Sequence, residues 1–160
     1  MDDARGGVVT PTRRALDVGL GLAMAVVVAL TLLPDGNGWT WGAPLTELRW
    51  YATGLDSTAT VLQLVGNLLL LAPLAVLAVL RWPALRAPGR LVLASGATAA
   101  AIELLQWLLP LGRVVSPLDA LLNATGAVLT GLVVAGVHTS LAGLVPASPL
   151  FLPEDDDQHP

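Results

Sequence analysis

The chain contains no cysteine and no lysine. Without cysteine there is no disulfide, no thiolate metal site and no cysteine nucleophile. All eight basic residues are therefore arginines, and no basic patch marks a nucleic-acid partner. Charge is scarce as well. Charged residues make up 12% of the chain, against about 25% in an ordinary soluble domain, too few to cover the surface of a soluble protein of this length. The two histidines, His138 and His159, have no metal-ligand partner at useful spacing. No metal site and no cofactor is expected. The net charge of −4 owes much to the acidic run Glu154 to Asp157 and says little about partners.

What the chain does have is long apolar runs. Hydrophobic residues are 54% of the sequence. About 20 apolar residues in a helix cross a bilayer core of about 30 Å. Four such runs stand out, at about 15–33, 59–80, 91–109 and 118–137. They predict an all-α fold, an integral membrane four-helix bundle. The first run competes with a signal peptide, given its basic flank and small residues. It is long for that role, and no clean cleavage site precedes Pro34-Asp35-Gly36, so a retained helix is expected. Residues 1–14 read as a cytoplasmic N-terminal segment, 15–137 as the transmembrane domain and 138–160 as a disordered acidic tail.

Residues 34–58 form the longest connection and hold Trp39, Trp41, Trp50 and Tyr51, residue types that collect at the membrane interface. Leu45, Leu48 and Leu55 would line one face of a short helix after Pro44. An interfacial helix and an irregular loop with anchoring tryptophans are both open readings. In the second run Pro73 removes a backbone donor and is expected to kink the helix. With four spans, Arg5, Arg13, Arg14, Arg81, Arg86 and Arg90 share one side, and Arg49 and Arg113 the other. By the positive-inside rule both termini are expected in the cytoplasm of a multi-pass protein of the cell membrane.

The polar residues next to this apolar sequence are concentrated. Glu103, Gln106, Arg113, Asp119 and Asn123 lie close together in the chain. Given the topology, Glu103 falls about 9 Å below the outer end of the third span and Asn123 about 8 Å below that of the fourth. Gln63 and Asn67, four apart on one face of the second span, reach about 6 and 12 Å into the same half. Asp119, Asn123, Ala127 and Gly131 share one stripe whose small residues allow close helix approach. Ser95, Ala99, Glu103 and Gln106 form a stripe to face it. Glu103 and Asp119 are then expected within reach of Arg113 in the turn 110–117. Ionisable residues in a membrane are costly and tend to be functional. The structural alternative is an arginine clamp between two acids.

At these residues the sequence resembles the VanZ-like family of bacterial membrane proteins, named for a protein linked to teicoplanin resistance. Asn67 and Pro73 match a segment of the family's second helix, where Leu71 and Ala75 replace Phe and Gly. Glu103-Leu104-Leu105-Gln106 matches its Glu-x-x-Gln, Gly112-Arg113 its Gly-Arg turn, and Asp119, Asn123 and Gly126 its Asp-x-x-x-Asn-x-x-Gly. Ser116 and Leu118 stand where the family commonly has acids, which argues against a divalent-metal site at this turn. The resemblance implies a four-helix protein of the cell envelope associated with glycopeptide susceptibility.

Three functions are compatible with these residues. In the first, a non-enzymatic protein has an outward-facing pocket of Asn67, Glu103, Gln106, Arg113, Asp119 and Asn123. This pocket binds a lipid-linked cell-wall precursor, a glycopeptide or another anionic ligand, with Arg113 meeting phosphate or carboxylate. In the second, an intramembrane enzyme uses Glu103 and Asp119 as acid and base on a lipid-linked substrate. In the third, a small transporter uses Glu103 as its proton site. Membrane lipid is the expected partner in each.

Overall fold

The computed structural model describes residues 10–143, with side chains from 12 to 141. The expected cytoplasmic segment therefore lies mostly outside the described residues, as does the tail from 144 onward. Among the described residues there are six helices: α1 (Thr10–Leu32), α2 (Pro44–Thr53), α3 (Thr58–Leu70), α4 (Ala72–Arg81), α5 (Pro88–Leu108) and α6 (Pro117–Gly143). Two short strands, β1 (Gly38–Trp41) and β2 (Leu111–Val115), complete the fold, and a 3-10 turn occupies Pro83–Arg86.

Four segments are long and apolar enough to cross a membrane: Thr12–Leu32, Thr58–Arg81, Pro88–Leu108 and Pro117–Leu141. These are the four spans expected from the sequence. Their outward faces carry large apolar side chains such as Leu22, Leu62, Leu93, Leu121 and Val133, with Leu93 74% exposed. A soluble monomer rarely shows so much apolar surface, whereas a multi-pass membrane protein does. The last helix runs through Gly143, six residues beyond its expected end at 137.

The second span is two helices in series. Pro73 has no N–H to give the preceding turn, so α3 stops at Leu70 and the Leu71 N–H turns to the Leu69 carbonyl. The Ala75 N–H resumes the ladder on Leu71 O at 2.9 Å. The core forms around this break: Leu71, Ala75, Val27, Ala99, Ile102 and Ala127 are buried together. Lipid tails are as apolar as leucine, so these helices associate through close packing rather than water exclusion. Small residues make that packing possible. On α6 the buried stripe is Asn123, Ala127, Gly131 and Ala135, as the spacing predicts. At Gly126 the backbones of α3 and α6 approach so closely that any Cβ would collide with the Leu68 carbonyl.

Two features of the connections are new. Residues 44–53 fold as helix α2, so the interfacial-helix reading of this segment gives its secondary structure. Within the expected short turn 110–117, Leu111–Val115 form a strand. It pairs in parallel with β1, with Trp39 opposite Arg113, Thr40 opposite Val114 and Trp41 opposite Val115. The Asp35 N–H donates to Leu111 O at 2.8 Å and the Gly42 N–H to Val115 O at 2.9 Å, closing the ribbon at both ends. This clasp ties the end of α1 to the entrance of α6.

Candidate functional site

At the β-clasp end of the bundle, α6 begins with Ser116-Pro117-Leu118-Asp119. Serine before proline, followed by an acid at the third helical position, is a helix-start pattern. The Asp119 N–H donates to Ser116 Oγ at 3.1 Å. In a capping box the third-position side chain returns a bond to the capping N–H. Here Glu103 of α5 does so, its Oε2 accepting the Ser116 N–H at 2.8 Å. Asp119 is thereby freed to turn towards α3. Its Oδ1 accepts from Asn67 Nδ2 at 2.6 Å and from the Tyr51 hydroxyl at 3.3 Å. Ser116 is fully buried and its Oγ donates to Glu47 Oε2 at 2.6 Å. One capping serine thus links α2, α5 and α6.

Tyr51 lies on α2, outside the spans. Burial, then the charge of Asp119, pushes its hydroxyl up to about 12. It therefore remains a protonated donor to the carboxylate at any physiological pH.

Above these contacts is a cavity of about 460 Å³. All six residues singled out from the sequence line it: Asn67, Glu103, Gln106, Arg113, Asp119 and Asn123. Gln63 lines it as well, with Thr31 from the last turn of α1 and Asp35 from the connection that follows it. Gln106 is buried and donates from Nε2 to Thr31 O at 3.0 Å. Asn123 is only 2% exposed, and its Oδ1 has no hydrogen-bond partner among the described residues. On α5 the buried stripe is Ser95, Ala99, Ile102 and Gln106, with Glu103 half-buried at its edge.

Arg113 departs from expectation. Its Nε and Nη2 both donate to the Leu33 carbonyl, at 3.2 and 3.1 Å. It makes no ion pair with Glu103 or Asp119; among the described residues the ion pair within 4.0 Å is Arg81–Asp17, at 2.7 Å. The reason is the clasp. Pairing of β2 with β1 places Arg113 beside the open carbonyls at the end of α1, which want a donor. One oxygen of each acid takes neutral donors instead. Glu47, Tyr51 and Ser116 were not found from the sequence as site residues. The Ser-Pro-x-Asp spacing signals the cap, but nothing local marks Glu47 or Tyr51, whose partners lie 69 and 68 residues away.

Among the described residues no cluster of three or more His, Cys, Asp or Glu side chains is arranged to hold a metal ion. A family model described as VanZ/LLP1 matches residues 20–138. No curated protein and no solved structure gives a match.

Proposed function

Since the chain belongs to the VanZ/LLP1 family and is a multi-pass membrane protein, we propose that it serves the cell envelope by binding the head group of a lipid-linked ligand in the polar cavity, lowering susceptibility to glycopeptides of the teicoplanin type. The observation that carries this reading is the orphaned Asn123 Oδ1, buried on the wall of a polar cavity. A buried acceptor without a partner costs about 1–3 kcal/mol. A ligand that donates to it recovers that cost. The proposed orientation puts both termini in the cytoplasm and the cavity in the outer half of the membrane, following the arginine asymmetry.

Binding is preferred over catalysis for a specific reason. Glu103 and Asp119 face one cavity, as an acid–base pair requires. Yet the Ser116 hydroxyl is fully buried and committed to Glu47 and the Asp119 N–H. It offers the cavity no nucleophile. A transporter would need a path to the other side. The residues inward of Asn123 on its stripe are Ala127, Gly131 and Ala135, without a polar step.

The test is teicoplanin susceptibility of a sensitive bacterium expressing wild type, Glu103→Gln, Asn123→Leu or the lipid-facing control Leu129→Ile, with membrane levels measured alongside. Wild type and Leu129→Ile should shift susceptibility, and Asn123→Leu should lose the shift. If Asn123→Leu inserts normally and acts as wild type, the cavity is scaffold. If wild type itself has no effect, the antibiotic role falls.

A further inference from the structure

Resting on the head-group reading of the cavity, we infer that the head group carries a primary ammonium and that its hydrocarbon chain lies in the groove beside Glu103. Three carboxylates line the cavity, Asp35, Glu103 and Asp119, against the single cation Arg113. Arg113 already turns Nε and Nη2 to Leu33 O. Several acceptors on the lining residues lack donors. Asp119 receives both its side-chain hydrogen bonds on Oδ1, and Glu103 receives its bond on Oε2. Asp119 Oδ2 and Glu103 Oε1 accept none among the described residues. Asn123, 98% buried on the cavity wall, has an Oδ1 that likewise accepts none among the described residues.

A phosphate or carboxylate placed here sets acceptor against acceptor and like charge against like. An ammonium brings three N–H donors and the opposite charge, and an unpaired charge in such a site is costly enough to enforce the match. Charge-assisted hydrogen bonds of this kind are about twice as strong as neutral ones.

The groove decides between a lipid and a soluble amine. Glu103 borders not only the cavity but a second, apolar groove of about 220 Å³, lined by Trp41, Leu104, Trp107, Val115 and Pro117. Trp41 and Trp107 are about half exposed there, and tryptophan favours the level of the lipid head groups. A chain lying against them delivers its head group past Glu103 into the cavity.

Purified protein in detergent, examined by native mass spectrometry, tests this with three phospholipids of identical chains. Phosphatidylethanolamine has an ammonium with N–H donors, phosphatidylcholine an ammonium without them, and phosphatidic acid no ammonium. Phosphatidylethanolamine should be retained about tenfold or more over either rival, the difference one or two unmet buried hydrogen bonds make. Asn123→Leu and the near-isosteric Asp119→Asn should each collapse that ratio, whereas Leu129→Ile, away from the cavity, should leave it intact. The readout is a ratio between lipids on one sample, so partial unfolding of a variant does not imitate the effect. Equal retention of phosphatidylcholine overturns the donor requirement. Preference for phosphatidic acid, abolished by Arg113→Gln, overturns the ammonium but keeps the cavity as a head-group site. Unchanged lipid preference in Asn123→Leu places the lipid elsewhere and removes the cavity reading with it. Displacement of phosphatidylethanolamine by equimolar soluble phosphoethanolamine overturns the role of the groove. Retention of none of the three overturns the inference outright.

Discussion

Asn67 and Asp119 lie 52 residues apart and meet at 2.6 Å. A hydrogen bond to a carboxylate between two membrane helices is at the strong end of a modest range, about 0.6–1.7 kcal/mol by double-mutant cycles. Asn67→Leu and Asp119→Asn, with their double mutant, should therefore show coupling of about 1 kcal/mol or more in detergent denaturation. Arg113→Gln and Glu103→Gln should be additive, since Arg113 bonds a carbonyl rather than the acid. Additivity in the first cycle, or strong coupling in the second, means the side chains are arranged otherwise. Tyr51 gives a pH test of its own. It is the chain's single tyrosine, so tyrosinate absorbance reports it alone. Its ionisation midpoint should lie near pH 12 rather than 10. Its folded value lies above the unfolded one. Stability it contributes is thus complete below pH 10 and lost as pH rises towards 12. Asp119→Asn should lower the midpoint without restoring 10, because burial is the larger cause. A midpoint near 10 in the folded wild type shows Tyr51 in water.

Two elements depend on glycine for geometry. In β2, Gly112 has a φ of 70°, and a Cβ there would strike the backbone of Gly36. Left-handed backbone alone costs a non-glycine residue about 1–2 kcal/mol, and the collision adds to it. Gly112→Ala should destabilise by at least about 2 kcal/mol and open the clasp. At Gly126 the obstacle is the Leu68 carbonyl, part of a helix backbone that has no rotamer to change. Gly126→Ala should separate α3 from α6 and break the Asn67–Asp119 bond, losing about 1–3 kcal/mol or more. Gly96, on α5, has open space around its Cβ position. Gly96→Ala should be neutral or stabilising by up to about 1 kcal/mol. Thermal melts of the three variants in one detergent separate crowding from propensity; equal melting points would remove the close α3–α6 approach.

For the whole molecule the proposed orientation is the quantity to measure. The absence of cysteine makes single-cysteine labelling clean. Thr40 on β1 and Val114 on β2 are exposed, as is Ala87 before α5 at the opposite end of the bundle. In intact cells an impermeant thiol reagent should label cysteine at 40 and 114 and spare it at 87. The reverse pattern inverts the protein and puts the cavity in the inner leaflet. Partial labelling at both ends would indicate two orientations in one population.

Some of this protein was settled by the sequence alone. Four apolar runs of bilayer length dictate four crossing segments, because a backbone in lipid must satisfy itself within a helix. The four-residue spacing of Asn123, Ala127 and Gly131 dictates a buried stripe. Depth along each span, a matter of 1.5 Å per residue, brings Asn67, Glu103, Gln106, Asp119 and Asn123 into the same half of the bundle, and one cavity holds them. The partners were decided by tertiary structure. Arg113 goes to a carbonyl of α1 instead of an acid because β1 and β2 pair in parallel, and two short strands far apart in sequence carry no local signal of pairing. Glu103 takes the Ser116 N–H because α5 and α6 fold back on each other about the clasp. Glu47 and Tyr51 join the site only because α2 packs against the start of α6. Periodicity fixes the face and depth of a residue on its own helix. Which atom it meets depends on how separate helices are brought together.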